Sequence, residues 1–323
     1  MMKKSFLMAL LLSSATYALA DLVNIQTKNM TLVVEVNNGK HPSYVYFGSR
    51  LSESEQQHLQ MPRNGLMDVY PAYGQNAPKE AAFAMRHVDG NMSTELVATG
   101  VEKTSEPTAT VTTIHLKDPQ YPINVDVKFR AYNDVDMIET WTEIVNNEKG
   151  TVTLTSFASG CLPIRRGEVW ASHLWGSWAN EGRLTEEPLE PGQLIIKNKD
   201  GVRNSHTDHA EVMLSLDGKP RENAGDVIGA ALCYSGNFRL KIETDDTDYH
   251  YFFAGINEDN SEYHLKKGER FTTPALALTF SKEGLSGASR NFHKWGRLYK
   301  LAHGTTERKI LLNSWEGVYF DLL

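Results

Sequence analysis

The feature that most restricts the fold is an alternation of side chains over residues 123–132. Ile123, Val125, Val127, Phe129 and Ala131 are apolar, and Asn124, Asp126, Lys128, Arg130 and Tyr132 stand between them. A period of two places the first set on one face of an extended chain and the second on the other, which is a strand with a core side and a wet side. Antiparallel sheets are the ones that leave a face to water. Similar segments recur. Residues 31–36 run into the turn cluster Asn37, Asn38, Gly39 and are followed by Tyr44, Val45, Tyr46 and Phe47, an early hairpin; 151–155, 193–197, 227–232 and 275–280 continue the series. Short strands spaced by turn residues from Leu22 to about Lys282 predict a mainly β protein, an antiparallel sandwich occupying residues 21–282. There is no internal repeat and no low-complexity tract.

After Phe280 the period changes. Leu285, Ala288, Phe292, Trp295, Tyr299 and Ala302 recur at spacings of three and four, which predicts one helix over 283–302, closed by His303 and Gly304, within a linking segment 283–307. Its apolar stripe needs cover, from the sandwich and from the part of the chain beyond the linker. That last segment, 308–323, holds Ile310, Leu311 and Leu312 in an unbroken run, the pattern of a strand buried on both faces in a parallel sheet. Asn313, Trp315 and Glu316 come directly behind it, where (β/α)8 barrels carry substrate-binding loops. The expectation is the first strand of a barrel, truncated because the sequence continues into neither a crossover helix nor a partner strand.

At the other end, Met1, Met2, Lys3 and Lys4 precede a short apolar run from Phe6 to Leu12, and Ala18, Leu19 and Ala20 fit a small-x-small cleavage site. Residues 1–20 are therefore expected to be a signal peptide, with a secreted or periplasmic mature chain. A spanning helix needs about 20 apolar residues, and Ser13, Ser14 and Thr16 interrupt this run. The formal charge of −7 becomes more negative by two when Lys3 and Lys4 leave, which argues against nucleic acid and anionic membrane as partners. Two cysteines, Cys161 and Cys233, are no disulfide framework, and whether they pair stays open.

The polar clusters read as ordinary surface. His206, Thr207, Asp208 and His209 lack a third strong metal ligand nearby. Asp245, Asp246, Thr247 and Asp248 lack the glycine turn and terminal glutamate of a calcium loop and read as a solvated hairpin. Asp134 and Asp136 share a face near a strand start and are expected in water. No metal and no cofactor is implied.

Several stretches together resemble glycoside hydrolase family 36, the bacterial and fungal α-galactosidases. Tyr70-Pro71-Ala72-Tyr73-Gly74 is similar to its YPxYG element, and Leu174-Trp175-Gly176-Ser177-Trp178-Ala179-Asn180-Glu181-Gly182-Arg183 to its GAWxRE element. Ser205-His206 resembles an SSH element, Tyr234-Ser235-Gly236-Asn237-Phe238 matches YSGNF, and Phe271-Thr272-Thr273-Pro274 resembles FxTP. Phe292-His293 lies in the expected helix, and Asn313-Ser314-Trp315-Glu316-Gly317-Val318-Tyr319-Phe320-Asp321 is similar to NxWEAxYFD. Asn180-Glu181-Gly182 departs from the usual Arg-Glu-Arg, and Ser314 and Gly317 replace Asn or Thr and Ala.

The resemblance implies a β-supersandwich, a helical linker and a (β/α)8 barrel, in a retaining enzyme whose two catalytic aspartates lie on later barrel strands. No catalytic residue is assigned within these 323 residues. It further implies that Trp315 forms part of the wall of the galactose subsite and that Trp178 approaches that site from the sandwich, with Glu316 contacting the sugar or bracing Trp315. The bland reading of both tryptophans is packing under a loop or in the barrel mouth. The implied function is the amino-terminal part of a secreted α-galactosidase acting on terminal α-linked galactose of oligosaccharides or polysaccharide side chains, in a family that often forms homo-oligomers. The alternatives are a non-catalytic carbohydrate-binding sandwich and an α-N-acetylgalactosaminidase of the same fold.

Overall fold

Strand Ile123–Tyr132 lies inside an antiparallel ten-stranded sheet, next to Ala109–Lys117 on one side and Ile138–Asn146 on the other. The computed structural model describes residues 21–62, 65–75, 79–202 and 207–321, and the expected signal peptide lies outside them. Beyond Ile138–Asn146 the large sheet continues through Leu276–Ser281, Val227–Leu232, Glu211–Ser215 and Trp170–Trp175 to Arg183–Pro188. At its other end it finishes on Val97–Ser105, and the short strand Arg270–Thr272 also pairs with Ile138–Asn146.

Three smaller antiparallel sheets accompany it. One holds Gly160–Arg165, Tyr249–Ile256, Phe238–Thr244 and Gly192–Lys197; another holds Asp21–Gln26, Met30–Val36 and Ser43–Ser49; the third holds Tyr263–Leu265, Val152–Phe157 and Phe83–Arg86. The expected early hairpin is the pairing of Met30–Val36 with Ser43–Ser49, with a bulge at Val33/Val34. Ile123, Val125, Val127 and Phe129 of the large sheet share one apolar core with Leu32, Phe83, Leu154, Leu162, Phe238 and Phe252 of the smaller sheets. Alternation in sequence has become a sandwich core, because each sheet turns an apolar face toward the others.

The outer face of the large sheet is apolar in one place. Ala109, Tyr132, Met137 and Ala277 form a second cluster there, covered by Phe292 and Trp295 of helix Gly284–Trp295. Phe292 lies so close to strand Val227–Leu232 that a Cβ on Gly229 would stand 2.6 Å from its ring, so only glycine admits this packing.

The single helix expected over 283–302 is shorter. It is α-helical over Gly284–Trp295 and widens to a π turn over Gly296–Lys300, before extended Leu301. Gly296 weakens the α-helix at that point, and the wider turn sets Tyr299 on Tyr132, ring centroids 4.5 Å apart. It also pairs Lys300 with Glu139, which is buried and held from the other side by Arg130 at 3.2 Å.

Residues 308–321 stand apart from the sheets. No strand forms over Ile310, Leu311 and Leu312, which are 103, 86 and 90% exposed, and only a four-residue helix, Trp315–Val318, comes after them. A parallel strand is stabilised by ladders to neighbours on each side, and none of the described strands offers one. Asp136 departs from its expected place in water: it accepts hydrogen bonds from Thr27 Oγ1, Asn29 N and Asn29 Nδ2, each at 2.7 Å, and pins the first hairpin to the large sheet. Asp245, as expected, organises a hairpin turn, accepting from Thr247 N at 2.8 Å and Tyr249 N at 3.1 Å. No described helix is long and apolar enough to cross a membrane.

Cys161 and Cys233 are free thiols, Cys161 buried and Cys233 exposed. Burial pushes the Cys161 thiol up to about 12, so it holds little thiolate at neutral pH. Burial also pushes the Cys233 thiol up, to about 11, so accessibility decides between them: a thiol-specific reagent is expected to label Cys233 slowly in the native protein and Cys161 only after unfolding, and a rapidly labelled Cys161 would contradict this packing. Phe252→Ala, which empties a fully buried site in the shared core, is expected to cost about 3–5 kcal/mol in chemical denaturation.

Candidate functional site

Two exposed aromatic groups stand out against a structure whose other large rings are mostly covered. The first is carried by the hairpin of Trp170–Trp175 and Arg183–Pro188, paired in register from Trp170↔Pro188 to Trp175↔Arg183. Its connection, residues 176–182, puts Trp178 at the tip, 83% exposed, with Trp175 and Leu184 also open to solvent. Together these three side chains expose an apolar group at one hairpin end, and exposed apolar groupings of this kind are where proteins meet ligands or partners.

The turn beneath Trp178 is braced. Ser177 and Asn180 exchange backbone hydrogen bonds at 3.3 and 2.9 Å, and Glu181 Oε1 accepts from Ala179 N at 3.0 Å. Arg183 Nε donates to Asn180 Oδ1 at 2.5 Å. Ala179 itself sits at φ 58°, a left-handed conformation that costs a residue with a Cβ about 1–2 kcal/mol. These bonds offset that cost and hold Trp178 outward. The base is tied down by Gly176 N donating to Thr207 O at 2.8 Å and by a bridge between Trp175 and Asp208. Burial raises the Asp208 carboxyl above its ordinary value, with the nearby His173 and His209 acting against it. The His173 ring meets Glu187 Oε1 at 3.0 Å across the same hairpin.

The second group is the C-terminal cluster. Trp315, 47% exposed, opens a helical turn, and its backbone N–H donates to Asn313 Oδ1 at 3.0 Å in a local Asx turn ahead of the N-cap residue Ser314. Tyr319 and Phe320 meet Trp315 edge to face, with ring centroids 5.7 and 5.0 Å away. Gly317 lies in this turn with open space around it, and the Glu316 side chain lies outside the described residues. Among the described residues, no ring contact, hydrogen bond or shared cavity joins Trp178 to Trp315.

The other sequence elements singled out turn out to be largely structural. Tyr70 is buried, donates to Ala158 O at 2.8 Å, and has its phenol pushed well above the ordinary value by burial. Phe238 is a core residue, and Phe271 packs against Phe157 and Tyr263. Thr273 Oγ1 accepts from Thr142 N at 2.9 Å. Ser205 and His206 lie outside the described residues. Among the described residues, no group of His, Cys, Asp and Glu is arranged to hold a metal.

Residues 40–266 match the family model of the glycosyl hydrolase family 36 N-terminal domain, which is more than half of the chain, and residues 270–323 match the melibiase model. The chain belongs to glycosyl hydrolase family 36. It is 29% identical over 276 residues to the bifunctional α-galactosidase/sucrose kinase AgaSK of Mediterraneibacter gnavus, covering 80% of this chain and 29% of that protein. It is also 29% identical over 276 residues to α-galactosidase AgaA of Geobacillus stearothermophilus, covering 79% of this chain and 37% of AgaA.

Among solved structures, the galactosidase domain of AgaSK superposes with a TM-score of 0.84 at 26% identity, over 92% of this chain and 46% of the other. A stachyose complex of an AgaA variant gives 0.86 at 24% identity, over 93 and 46%, and shares the fold. The chain thus spans less than half the length of these relatives.

Trp178→Ala is expected to leave stability within about 0.5 kcal/mol of the parent, since so exposed a ring contributes little to packing. Gly182, at φ 66°, should tolerate alanine less well. Thermal melts of the two variants compare a ring held outward for binding with a residue that shapes its turn; a large loss at Trp178→Ala would return that ring to the core.

Proposed function

We propose that these residues are the amino-terminal part of an exported, retaining α-galactosidase that removes terminal α-linked galactose from oligosaccharides or polysaccharide side chains. The observation that carries this reading is the melibiase match over 270–323 ending in an apolar segment, Ile310 to Leu312, that finds no partner among the described strands. A barrel supplies such partners on both sides. The sandwich, the covering helix and the π turn then act as a fixed platform that delivers Trp315 to the mouth of that barrel.

Retaining hydrolysis requires two carboxyl groups about 5–5.5 Å apart, one as nucleophile and one alternating as acid and base. In this reading both stand on later barrel strands. The residues present here contribute binding: the Trp315 ring meets the C–H face of galactose, Glu316 hydrogen-bonds a hydroxyl or braces the ring, and Trp178 reaches a sugar site from the sandwich. An exposed Trp178 on a braced turn suits contact with a neighbouring copy as well, so assembly into a homo-oligomer belongs to the proposal. The AgaA variant structures in complex with stachyose and raffinose illustrate the substrate class for that relative. Export is inferred from the signal pattern in residues 1–20, with maturation at Asp21.

Residues 1–323 alone are expected to show no hydrolysis of a chromogenic α-galactoside, and a polypeptide extended through the barrel to show it. Robust hydrolysis by the short chain would put the chemistry in the sandwich. In the extended enzyme, Trp315→Ala is expected to lower kcat/KM tenfold or more, about 1.4 kcal/mol of transition-state binding, with the fold intact. Hydrolysis of α-N-acetylgalactosaminides in preference to α-galactosides would favour the alternative specificity, and binding without cleavage by the extended chain would favour a carbohydrate-binding module. Amino-terminal sequencing of exported protein should begin at or near Asp21.

A further inference from the structure

On the sandwich, apart from both exposed tryptophans, lies a cleft of about 500 Å³ lined among others by His41, Asp68, Gln75, Glu95, Gln120 and Tyr121. Its floor is unusual. Asp68 is only 3% exposed, and its Oδ1 has no hydrogen-bond partner. Its Oδ2 faces His41 Nδ1 at 3.8 Å, and Asp68 is the main cause holding the His41 imidazole above its ordinary value, helped by Glu95 3.3 Å from Nε2, so the ring is an ionic partner of both carboxylates and Oδ1 is the oxygen left open. Lys79, the cation on the neighbouring segment, donates to Gly65 O at 2.7 Å and lies over the Tyr251 ring. A carboxylate left this way in a protein interior costs several kcal/mol unless something donates to it.

The walls around it are rigid. Asp118 accepts from Gln120 N, Tyr121 N and Glu95 N at 2.7, 2.8 and 2.8 Å, which fixes the segments on both sides of the cleft. Tyr121 stacks on His87 with centroids 3.6 Å apart, and its hydroxyl is held by Asp89 and Asn91, each at 2.9 Å. His87 is in turn held by Glu148 at 2.7 Å. On the facing side, Gly74 at φ 102° lies so near Ser93 that a Cβ would stand 2.7 Å from its Cα, and Thr94 N donates to Tyr73 O at 2.8 Å. The Tyr70-to-Gly74 element therefore closes one wall and leads directly into Gln75, whose amide meets His41 Nδ1 at 2.7 Å.

We propose that this cleft is a second saccharide-binding site, separate from the galactose subsite of the enzyme. Carboxylates at the floor (Asp68) and rim (Glu95) accept from hydroxyl groups, the amides of Gln75 and Gln120 both donate and accept, and Tyr121 offers an aromatic wall. The volume suits a mono- or disaccharide unit. Two carboxylates disfavour a phosphate or other anion, and no described residues are arranged for a metal. His41 stands between Asp68 and Glu95, so a sugar hydroxyl reaches the buried Asp68 Oδ1 by displacing that ring. The choice of sugar as ligand rests on the galactosidase reading; the pre-formed polar cleft does not.

The test is calorimetric titration of the full chain with methyl α-galactoside and with raffinose, repeated on Asp68→Asn, Gln120→Ala, Trp178→Ala and Trp315→Ala. Gln120 is exposed, so its variant answers even if Asp68→Asn fails to fold. The expected result is binding that either cleft variant weakens at least tenfold and that neither tryptophan variant changes. No binding of either sugar by the folded chain, or unchanged affinity in the folded cleft variants, overturns the site. Cleft-dependent binding in an extended protein that hydrolyses no α-galactoside would refute the enzyme reading and leave the site standing, whereas hydrolysis without cleft-dependent binding would do the reverse.

Discussion

Strand Leu276–Ser281 is buried along its whole length, on both faces, and that requirement organises the molecule. Leu276, Leu278 and Phe280 belong to the sandwich core, while Ala277 faces the opposite cluster with Tyr132, Met137 and Trp295. An antiparallel sheet ordinarily leaves its second face to water; here it needs a cover. Helix Gly284–Trp295 comes immediately after the strand and supplies it. The cover is tight enough to require glycine at 229, and it is locked by the buried Glu139 between Arg130 and Lys300. The direction in which the chain leaves the sandwich is thereby set.

That exit direction links fold to function. The π turn Gly296–Lys300 docks through Tyr299 and Lys300, and the chain then runs free of the sheets toward Ile310 and Trp315. Past the π turn, Leu301, Ile310, Leu311, Leu312 and Phe320 have their side chains in water, in the last part of a melibiase match that begins at residue 270, inside the sandwich. The sandwich is stable without them because its core closes among its own four sheets.

Aromatic residues divide along the same line. Tyr70, Phe238 and Phe271 sit in family elements and are packed, whereas Trp178 and Trp315 sit in family elements and are open. Burial separates packed rings from open ones, Tyr73 among the latter, although both kinds stand in equally recognisable motifs. The cleft over Asp68 shows a third case, in which a family element builds a wall for polar residues contributed by distant segments.

Local periodicity was enough to place seven of the twenty described strands, to find the early hairpin and the helix after Phe280, and to name the core faces of residues 123–132, because the alternation of side chains is a property of the extended backbone itself. The family elements were legible for the same reason: they are short and contiguous. Which strand lies beside which, the π turn after Trp295, and the hydrogen bonds of Asp136 to Asn29 and Thr27 depended on partners far away in the chain. Ile310 to Leu312 carry strand character in sequence, yet a strand exists only when a neighbour completes its hydrogen bonds, so their conformation was decided by the tertiary structure. The same holds for the exposure of Trp178 and the unpartnered oxygen of Asp68. Sequence determined the types of segment; non-local packing decided which side chains were left open to solvent.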